Sequence, residues 1–440
     1  MPCPGLTGQT LSWRRFVRWP LRRVGSARHS VYGRGVDRAD VIIFGGGLIG
    51  LALASALDSN GLSAIVVDPA DPEQRKDAAF DGRTSAVSSS SMRMLQTIGV
   101  ADHLPEPGCP IRTIQVADGL DPGGLAFETA EGDEPLGWMN ENRNLRAALH
   151  SRAEAGRKLW LLWKSRAVSV ERGEHGVMVS LEDGRRLSAP LLVAAEGRNS
   201  PTREAAGIRI ARWRYDHTAI VSVLRHERSH ENIAYEIFYP AGPFALLPMT
   251  DNKGSHRSAI VWSVRSDDAA GLLSLDEVDF AAEAEAAMGG FLGDMALVAP
   301  RSTYPLGFHH AAQITSQRLA LVGDSAHAMH PIAGQGLNVG FRDVAALTQV
   351  LVEGARLGLD LGDRQLLDRY QRWRALDTLM VSFATDNLTR IYGIRGRGAS
   401  AVRRLGMSVI DRIAPVKDRL MAEARGTSGE LPLLLRGLPI

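Results

Sequence analysis

Cysteine is nearly absent from this 440-residue chain, with Cys3 and Cys109 its two examples. Two thiols without a Cys-x-x-Cys spacing exclude a disulfide framework and a thiolate zinc site, and a reducing compartment fits best. Lysine is scarce as well, five against 46 arginines, yet 49 acidic residues nearly balance the 51 basic ones and leave a formal charge of +2. No overall basic field argues for nucleic acid. Long hydrophobic runs are also missing: Val41 to Leu57 carries no charge over 17 residues, but four glycines interrupt it and it stops short of a membrane span. Repeats and low-complexity segments are absent. The chain is long enough for two or three domains at roughly 150 residues each, with the composition of a soluble globular protein.

Charge is uneven at one place. Residues 1–36 hold seven arginines and no Asp or Glu, with Trp13, Phe16, Val17, Trp19 and Leu21 among them. This segment reads as an organelle-targeting peptide or as an upstream extension unrelated to the fold, and residues 1–37 are set aside on either view. The expected location is cytoplasmic, with peripheral contact at an inner membrane, or the mitochondrial matrix if the segment is a targeting peptide.

From there the hydrophobic pattern changes period repeatedly. "DVIIFGGGLIGLALASALDSNGLSAIVVD" reads as a strand at Val41–Phe44, a glycine turn, a helix to about Leu57 and a second strand from Ala64 to Val67, the start of a βαβ unit. A Ser-rich and then helical stretch follows from Thr84 to Gly99. Strand-like sequence runs from Ile111 to about Trp138, and a helical pattern from Asn142 to Ala155. The stretch from Arg166 to Gly197 reads as three strands, the last, Leu191 to Ala195, apolar enough to be central. Further strands at 218–226, 234–240, 244–249 and 258–264 predict a second, mostly antiparallel sheet. An Ala-rich helix near 275–290, a strand at Leu319–Val322 and helical sequence to about 425 complete the reading. The expected fold is α/β, with a nucleotide-binding domain in the first and last thirds, a second, mostly antiparallel β-sheet domain inserted between them and a helical C-terminal region. Its expected boundaries are 38–108, 140–206 and 301–345 for the nucleotide-binding domain, 109–139 and 207–300 for the inserted domain, and 346–440 for the helical region.

Gly45, Gly47 and Gly50 form G-x-G-x-x-G between strand and helix, and Asp68 ends the next strand 18 residues beyond Gly50. The first glycine permits a tight turn, the second lets a pyrophosphate approach the backbone, and the third allows close helix packing. The helix start meets the anion, and Asp68 accepts hydrogen bonds from a ribose or merely begins the following loop. "LALVGDSAHAMHPIAGQGLNVGFRDVAAL", residues 319–347, places Asp324 at a second strand end, where it bonds a polyol or caps a helix. A Pro and Gly turn then leads into a helix whose positive end favours an anion, such as the negative charge of a reduced flavin. His327 and His330 lack a third ligand at metal spacing, so no metal is expected. His309 and His310 read as surface or turn residues.

These motifs resemble the FAD-dependent aromatic hydroxylases of the para-hydroxybenzoate hydroxylase fold, above all the UbiH-like branch of ubiquinone biosynthesis. The likeness runs from about residue 38 to the C-terminus through "GGGLIGLALASAL", "DGRTSAVSSSSMRMLQTIGV", "NRNLRAAL", "LLVAAEGRNSPTREAAGI", "GPFALLPM", "YPLGFHHA", the 319–347 stretch and "GELPLLLRG". Carried over position by position, it implies that Gly45, Gly47, Gly50 and Asp68 hold the ADP part of FAD. Arg83 and Arg143 then face the cofactor, Val168 makes a backbone contact to adenine, and Asp324 binds the ribityl chain. Pro331, Gly334, Gly336, Leu337 and Asn338 line the isoalloxazine, the last two through backbone amides. Taken alone, both arginines read rather as surface ion pairs. The family usually has Asp-Gly where this chain has Glu196-Gly197, which puts the role of that carboxylate in doubt.

The resemblance implies that the nucleotide-binding domain is an α/β FAD-binding domain (Rossmann-like, glutathione-reductase type), that the inserted, mostly antiparallel β-sheet is a substrate domain, and that a helical C-terminal region follows. It also implies reduction of FAD by NAD(P)H, reaction with O2 to a flavin C4a-hydroperoxide, and transfer of one oxygen to a phenol ring, with a polyprenyl phenol as substrate. Because the cofactor carries that chemistry, no catalytic acid or base is named. A pocket with "FYPAGPFALLPM" on one wall is the expected substrate site. A lipidic substrate also implies peripheral membrane contact, for which 403–421 is a candidate surface, and a place in a ubiquinone-biosynthesis complex is open. Hydroxylation of another aromatic compound and a non-catalytic FAD-binding subunit of a quinone-synthesis assembly remain alternatives. A flavin halogenase is disfavoured, since no Trp-x-Trp-x-x-Pro segment occurs and Leu51 follows the glycine motif where those enzymes tend to place Trp.

Overall fold

The computed structural model describes residues 36–72, 80–120, 124–328, 335–375 and 414–440. The residues from Val36 onward form one compact unit. At its centre lies a six-stranded sheet in the order Thr315–Ser316, Leu319–Leu321, Leu191–Ala194, Val41–Phe44, Ala64–Asp68 and Leu159–Trp163, parallel except for the first pair. Its middle strands are apolar at every position because both faces are covered.

The helix Leu48–Ser59 supplies part of that cover, packing against helices Asn142–Glu154 and Gln335–Arg356. Its residues from Gly50 to Leu57 are all buried, so it is apolar nearly all round rather than along one stripe. Leu51, Leu53 and Leu57 each contribute roughly 1.5–3 kcal/mol by leaving water. The helix stops at Asn60-Gly61, where Gly61 has a φ of +85° and its N–H returns to the Asp58 carbonyl. Both the helix and its stop agree with the sequence pattern.

The second layer is a sheet of nine strands among the described residues. Its main path runs from His327–Ala328 through Ser302–Ala311, Ile210–His226, Ser255–Arg265, Gly242–Asn252, Ile233–Tyr239 and Thr113–Asp118 to Leu125–Glu128. The pairs are antiparallel apart from Ile233–Tyr239 with Thr113–Asp118. On one face Ile220, Ile237, Phe244 and Ile260 pack against Phe280, Ala281 and Ala284 of the Ala-rich helix Glu277–Ala287. The opposite face is turned toward the glycine-rich turn.

The tertiary structure corrects the sequence reading in two places. The Arg166–Gly197 stretch contains four strands, not three: Ala167–Arg172, Val177–Leu181 and Arg186–Ala189 form a separate small sheet with Val36–Arg38, and Leu191–Ala194 alone enters the parallel sheet. Pro190, which has no N–H to offer a ladder, marks the switch between them. Ser302–Ala311, expected within the 301–345 portion of the FAD-binding domain, pairs with Ile210–His226 over the register Ile210 to Ala311 through Val221 to Ser302. Cys109–Ile111 pairs with Gly137–Glu141 in a three-stranded sheet that also holds Thr84–Ser88, while Cys109 and Ile111 pack with Leu125, Phe127, Val223 and Ala259 of the large sheet. Strand periodicity identifies an element, whereas its partner depends on contacts far away in the chain.

Candidate active site

The carboxyl ends of four adjacent parallel strands converge on one crevice. Gly45 follows Val41–Phe44, Asp68 ends its strand, Ala195-Glu196 follows Leu191–Ala194, and Gly323-Asp324 follows Leu319–Leu321. The chain crosses to opposite sides of Val41–Phe44 at this point, and open α/β sheets bind ligands at such a reversal.

The glycines have three distinct environments. Gly45 has a φ of +105°, and a Cβ there would stand 2.3 Å from the Ala195 carbonyl oxygen. A Cβ on Gly50 would stand 1.8 Å from the Gly45 carbonyl oxygen, so this glycine is what lets the helix start close against the turn. Gly47 faces open space, with nothing within 4 Å of such a Cβ. Two glycines therefore serve packing, and the third leaves its backbone open to close approach, as a dinucleotide pyrophosphate would require. The buried Asp68 carboxylate accepts from the Gly46 amide at 2.6 Å and from the Ala70 amide at 2.7 Å, holding the turn together.

Two cavities flank this helix start. One, of about 640 Å³, is lined by Gly45, Asp68, Ser165, Ala167, Glu196 and Thr202, among others. Val168 lies outside that lining, one residue past Ala167, with its side chain 62% exposed. The other cavity, of about 400 Å³, is bounded by Leu48, Ile49, Arg83, Asp324, Gly336 and Leu337 on the side of the parallel sheet. Across it stand Ala219, Val221, Ala245, Leu247 and Val261 of the large sheet, with Glu236 and Tyr304 as the polar side chains of that wall. An elongated dinucleotide suits this pair of cavities, and the residues present fit FAD.

Arg83 is paired with Asp81 at 3.5 Å and stands over the Tyr304 ring at 5.5 Å. Arg143 pairs with Glu141 at 2.6 Å and stacks over Phe80, so its neighbour Asn142 lines the cavity instead. Asn338 uses its side chain for structure: Oδ1 accepts from the Ser88 amide and Nδ2 donates to the Ala86 carbonyl, both at 2.9 Å. Gly336, Leu337 and Asn338 fall in the first turn of Gln335–Arg356, where backbone amides have no partner within the helix. Pro331, Gly334 and His330 lie outside the described residues.

Asp324 sits on a short 3-10 turn, Gly323–Ser325, and Arg198 Nε approaches its carboxylate at 3.2 Å. The turn is held from behind by two groups that the sequence reading missed. His309 is a buried strand residue, not a surface one, and its Nε2–H donates to the Asp324 carbonyl at 2.8 Å. Burial pushes its pKa down to about 4, which keeps it neutral. Asp343, fully buried, accepts from the Gly323 amide at 2.8 Å, from Arg374 Nε at 2.6 Å and pairs with His327 Nε2 at 2.8 Å. His327 thereby belongs to the support of the turn. Among the described residues no group of three His, Cys, Asp or Glu side chains is placed to hold a metal ion.

Glu196 has a plain structural use. Its carboxylate accepts from Ser200 Oγ at 2.5 Å, Thr202 Oγ1 at 3.0 Å and the Thr202 amide at 3.2 Å, closing the loop before the helix Pro201–Ala205. An Asp at this position would have one methylene less with which to reach them.

Glu236, on Ile233–Tyr239, was also missed. It is 8% exposed and has no hydrogen-bond or ion-pair partner among the described residues. Burial raises its pKa from the usual carboxylate range to about 7. An acid whose folded pKa lies above its unfolded value costs stability as pH rises between the two, and the full cost applies above the upper one. Glu236→Gln is therefore expected to stabilise the protein by up to about 3 kcal/mol above pH 7, with the difference gone below about pH 4.5 in urea unfolding series.

Two sheets meeting over a carboxyl-end crevice, with a dinucleotide turn on one side and an apolar cavity on the other, define a flavoprotein of the aromatic-hydroxylase type. The family described as FAD binding domain matches residues 38–380. The chain is 44% identical over 418 residues to the ubiquinone hydroxylase UbiL of Rhodospirillum rubrum, covering 94% of this chain and 96% of that protein. It is 31% identical to the mitochondrial ubiquinone biosynthesis monooxygenase COQ6 of Mus musculus, covering 92% and 93%. Among solved structures, p-nitrophenol 4-monooxygenase PnpA from Pseudomonas putida superposes with a TM-score of 0.72 at 16% identity, over 90% of this chain and all of that one, and so supports the fold. The chain belongs to the FAD-binding hydroxylase family that contains UbiL and COQ6.

Proposed function

We propose that this protein is an FAD-dependent monooxygenase that hydroxylates the aromatic ring of a polyprenylated phenol in ubiquinone biosynthesis, with NAD(P)H as electron donor and O2 as oxygen source. The observation that carries the reading is the cavity shared by the flavin-side helix start and the apolar face of the large sheet. Bound FAD would accept electrons from the nicotinamide, activate O2 and deliver one oxygen atom. The chain's own part is to bind, orient and keep water out. Gly45, Gly47, Gly50 and Asp68 hold the ADP half, Asp324 the ribityl chain, and the first turn of Gln335–Arg356 receives the ring with its developing negative charge, worth about 0.3–2 kcal/mol. Arg83 lies on the rim of the ring's cavity, and the roles of Arg143, Val168, Pro331 and Gly334 rest on the family resemblance. The substrate domain, proposed at 109–139 and 207–300, takes in Ser302–Ala311 as well. Its apolar wall orients the phenol and excludes water that would divert the oxygen to peroxide.

The lipidic substrate supports peripheral membrane contact and places the reaction beside other quinone-forming enzymes. No helix among the described residues is long and apolar enough to cross a membrane. The proposed surface at 403–421 lies partly outside the described residues.

The test is direct. Purified protein should carry the yellow FAD spectrum, oxidise NADPH faster with a short-chain 2-prenylphenol present, and release a product heavier by one oxygen atom. Flavin without phenol-stimulated oxidation would favour a structural subunit, and a colourless protein would overturn the assignment. Asp324→Ala should lose FAD while the far-ultraviolet spectrum of the fold is retained; full flavin occupancy in that variant would remove Asp324 from the site.

A further inference from the structure

The wall of the ring's cavity contributed by the large sheet is built from small and apolar side chains apart from Glu236 and Tyr304. Glu236 lies between Val116 on one neighbouring strand and Ala245 on the other, and Ala245 continues the row to Val261. Strand alternation sends Tyr235, Ile237 and Tyr239 to the helix-covered face, so Glu236 emerges on the cavity face. A carboxyl there is largely withdrawn from water, 8% exposed, and has no partner among the described residues, a cost that natural cores avoid unless the group has a use. No cation among the described residues pairs with it: Ala245 and Leu247 bring nothing ionisable alongside, Asp118 lies two residues from Val116 on the adjoining strand, and the other ionisable groups around the cavity are Arg83, Arg198, Asp324 and Tyr304.

We propose that Glu236 is the polar anchor of the substrate cavity, accepting a hydrogen bond from the ring hydroxyl of the phenol and acting as the general base for that hydroxyl. This rests on the phenol-hydroxylase reading of the same site. The carboxylate takes the O–H proton, and the electron pair of the broken bond stays on the phenol oxygen and enriches the ring. Once a ring carbon has gained the new hydroxyl, the hydrogen on that carbon leaves as a proton to solvent, which reprotonates the oxygen donor. The C–H electron pair restores the aromatic ring, and the proton held by Glu236 returns to the phenol oxygen. An aromatic compound lacking a hydroxyl leaves the carboxylate unsatisfied, so the anchor also selects phenols over plain hydrocarbons. Its pKa of about 7 places the change between donor and acceptor forms within the working range of a general base.

The experiment uses FAD-loaded wild type, Glu236→Gln and Glu236→Asp with a short-chain 2-prenylphenol as probe. It reads flavin occupancy, hydroxylated product per NADPH, and the pH profile of kcat/KM. Glu236→Gln should keep its flavin, make product about 100-fold more slowly, and lose the rise in rate that the wild type shows as pH passes through about 7, with Glu236→Asp recovering part of the rate. Wild-type product yield and an unchanged pH profile in Glu236→Gln would overturn the assignment of this residue alone. Loss of flavin in both variants would give Glu236 to the fold and overturn it too. A wild type that makes no product from the phenol would overturn the proposal together with the reading on which it rests.

Discussion

Replacing Asp343 with alanine is expected to destabilise the protein by about 3–5 kcal/mol and to strip it of flavin. Asp343 lies out of solvent and carries three partners: the Gly323 amide, His327 and Arg374. Burial alone would push its pKa up, but the charges and hydrogen bonds of His327 and Arg374 outweigh that and hold it below the ordinary carboxylate range. Without it, the guanidinium of Arg374, itself 1% exposed, loses the carboxylate that balances its charge. Tyr370, one turn earlier on the same helical segment, donates to the Leu321 carbonyl at 2.9 Å, so this segment supports both the strand end and the turn that presents Asp324. Urea unfolding at neutral pH measures the loss, and flavin absorbance measures the second effect. A depressed pKa stabilises above the unfolded value near 4 and loses that contribution as pH falls below it, so the acid limb of the wild-type stability curve should shrink in the variant. A cost under about 1 kcal/mol would mean that the cluster is neutral bookkeeping rather than a support.

Gly50→Ala brings its added methyl group closer to another atom than alanine at any other described glycine, and a large loss of stability is expected. Its Cβ would lie 1.8 Å from a backbone carbonyl oxygen, which has no rotamer by which to move aside. The helix must shift from the strand or the turn must open, at about 1–3 kcal/mol or more, and FAD occupancy should collapse. Gly47→Ala separates packing from binding, because its added methyl enters open space. That variant should unfold within about 0.5 kcal/mol of the wild type. Its Kd for FAD should nevertheless rise tenfold or more, about 1.4 kcal/mol. Equal flavin affinity in Gly47→Ala and wild type would show that no ligand approaches the turn there.

The two glycines also mark where reading the chain succeeds. G-x-G-x-x-G between Val41–Phe44 and Leu48–Ser59 is a local pattern, and so are the helix stop at Asn60-Gly61 and the Ala-rich helix at Glu277–Ala287. Backbone conformation within a turn or two is governed by the residues in that turn, so these elements were legible. The Ser302–Ala311 strand was misplaced because its pairing partner lies about 90 residues away, a separation over which no period carries information. Glu236 was visible as the lone carboxylate in "IAYEIFY", where Ala234 and Phe238 share its face. Its meaning was not visible, since one polar residue in a strand is equally an exposed position on a solvated face.

The sequence by itself determined the dinucleotide turn, the two-sheet architecture, the FAD family and the positions from which Asp68 and Asp324 reach the crevice. Those features depend on spacing along the chain and on where apolar runs end. Only the tertiary structure decided that Asp343, His327 and Arg374 brace the Asp324 turn, that Glu196 closes a loop, and that an unpartnered Glu236 stands in the apolar cavity. Each of these depends on which side chains a folded chain brings within about 3 Å and which it shields from water, and the strength of a charge or hydrogen bond is set by that environment rather than by residue type.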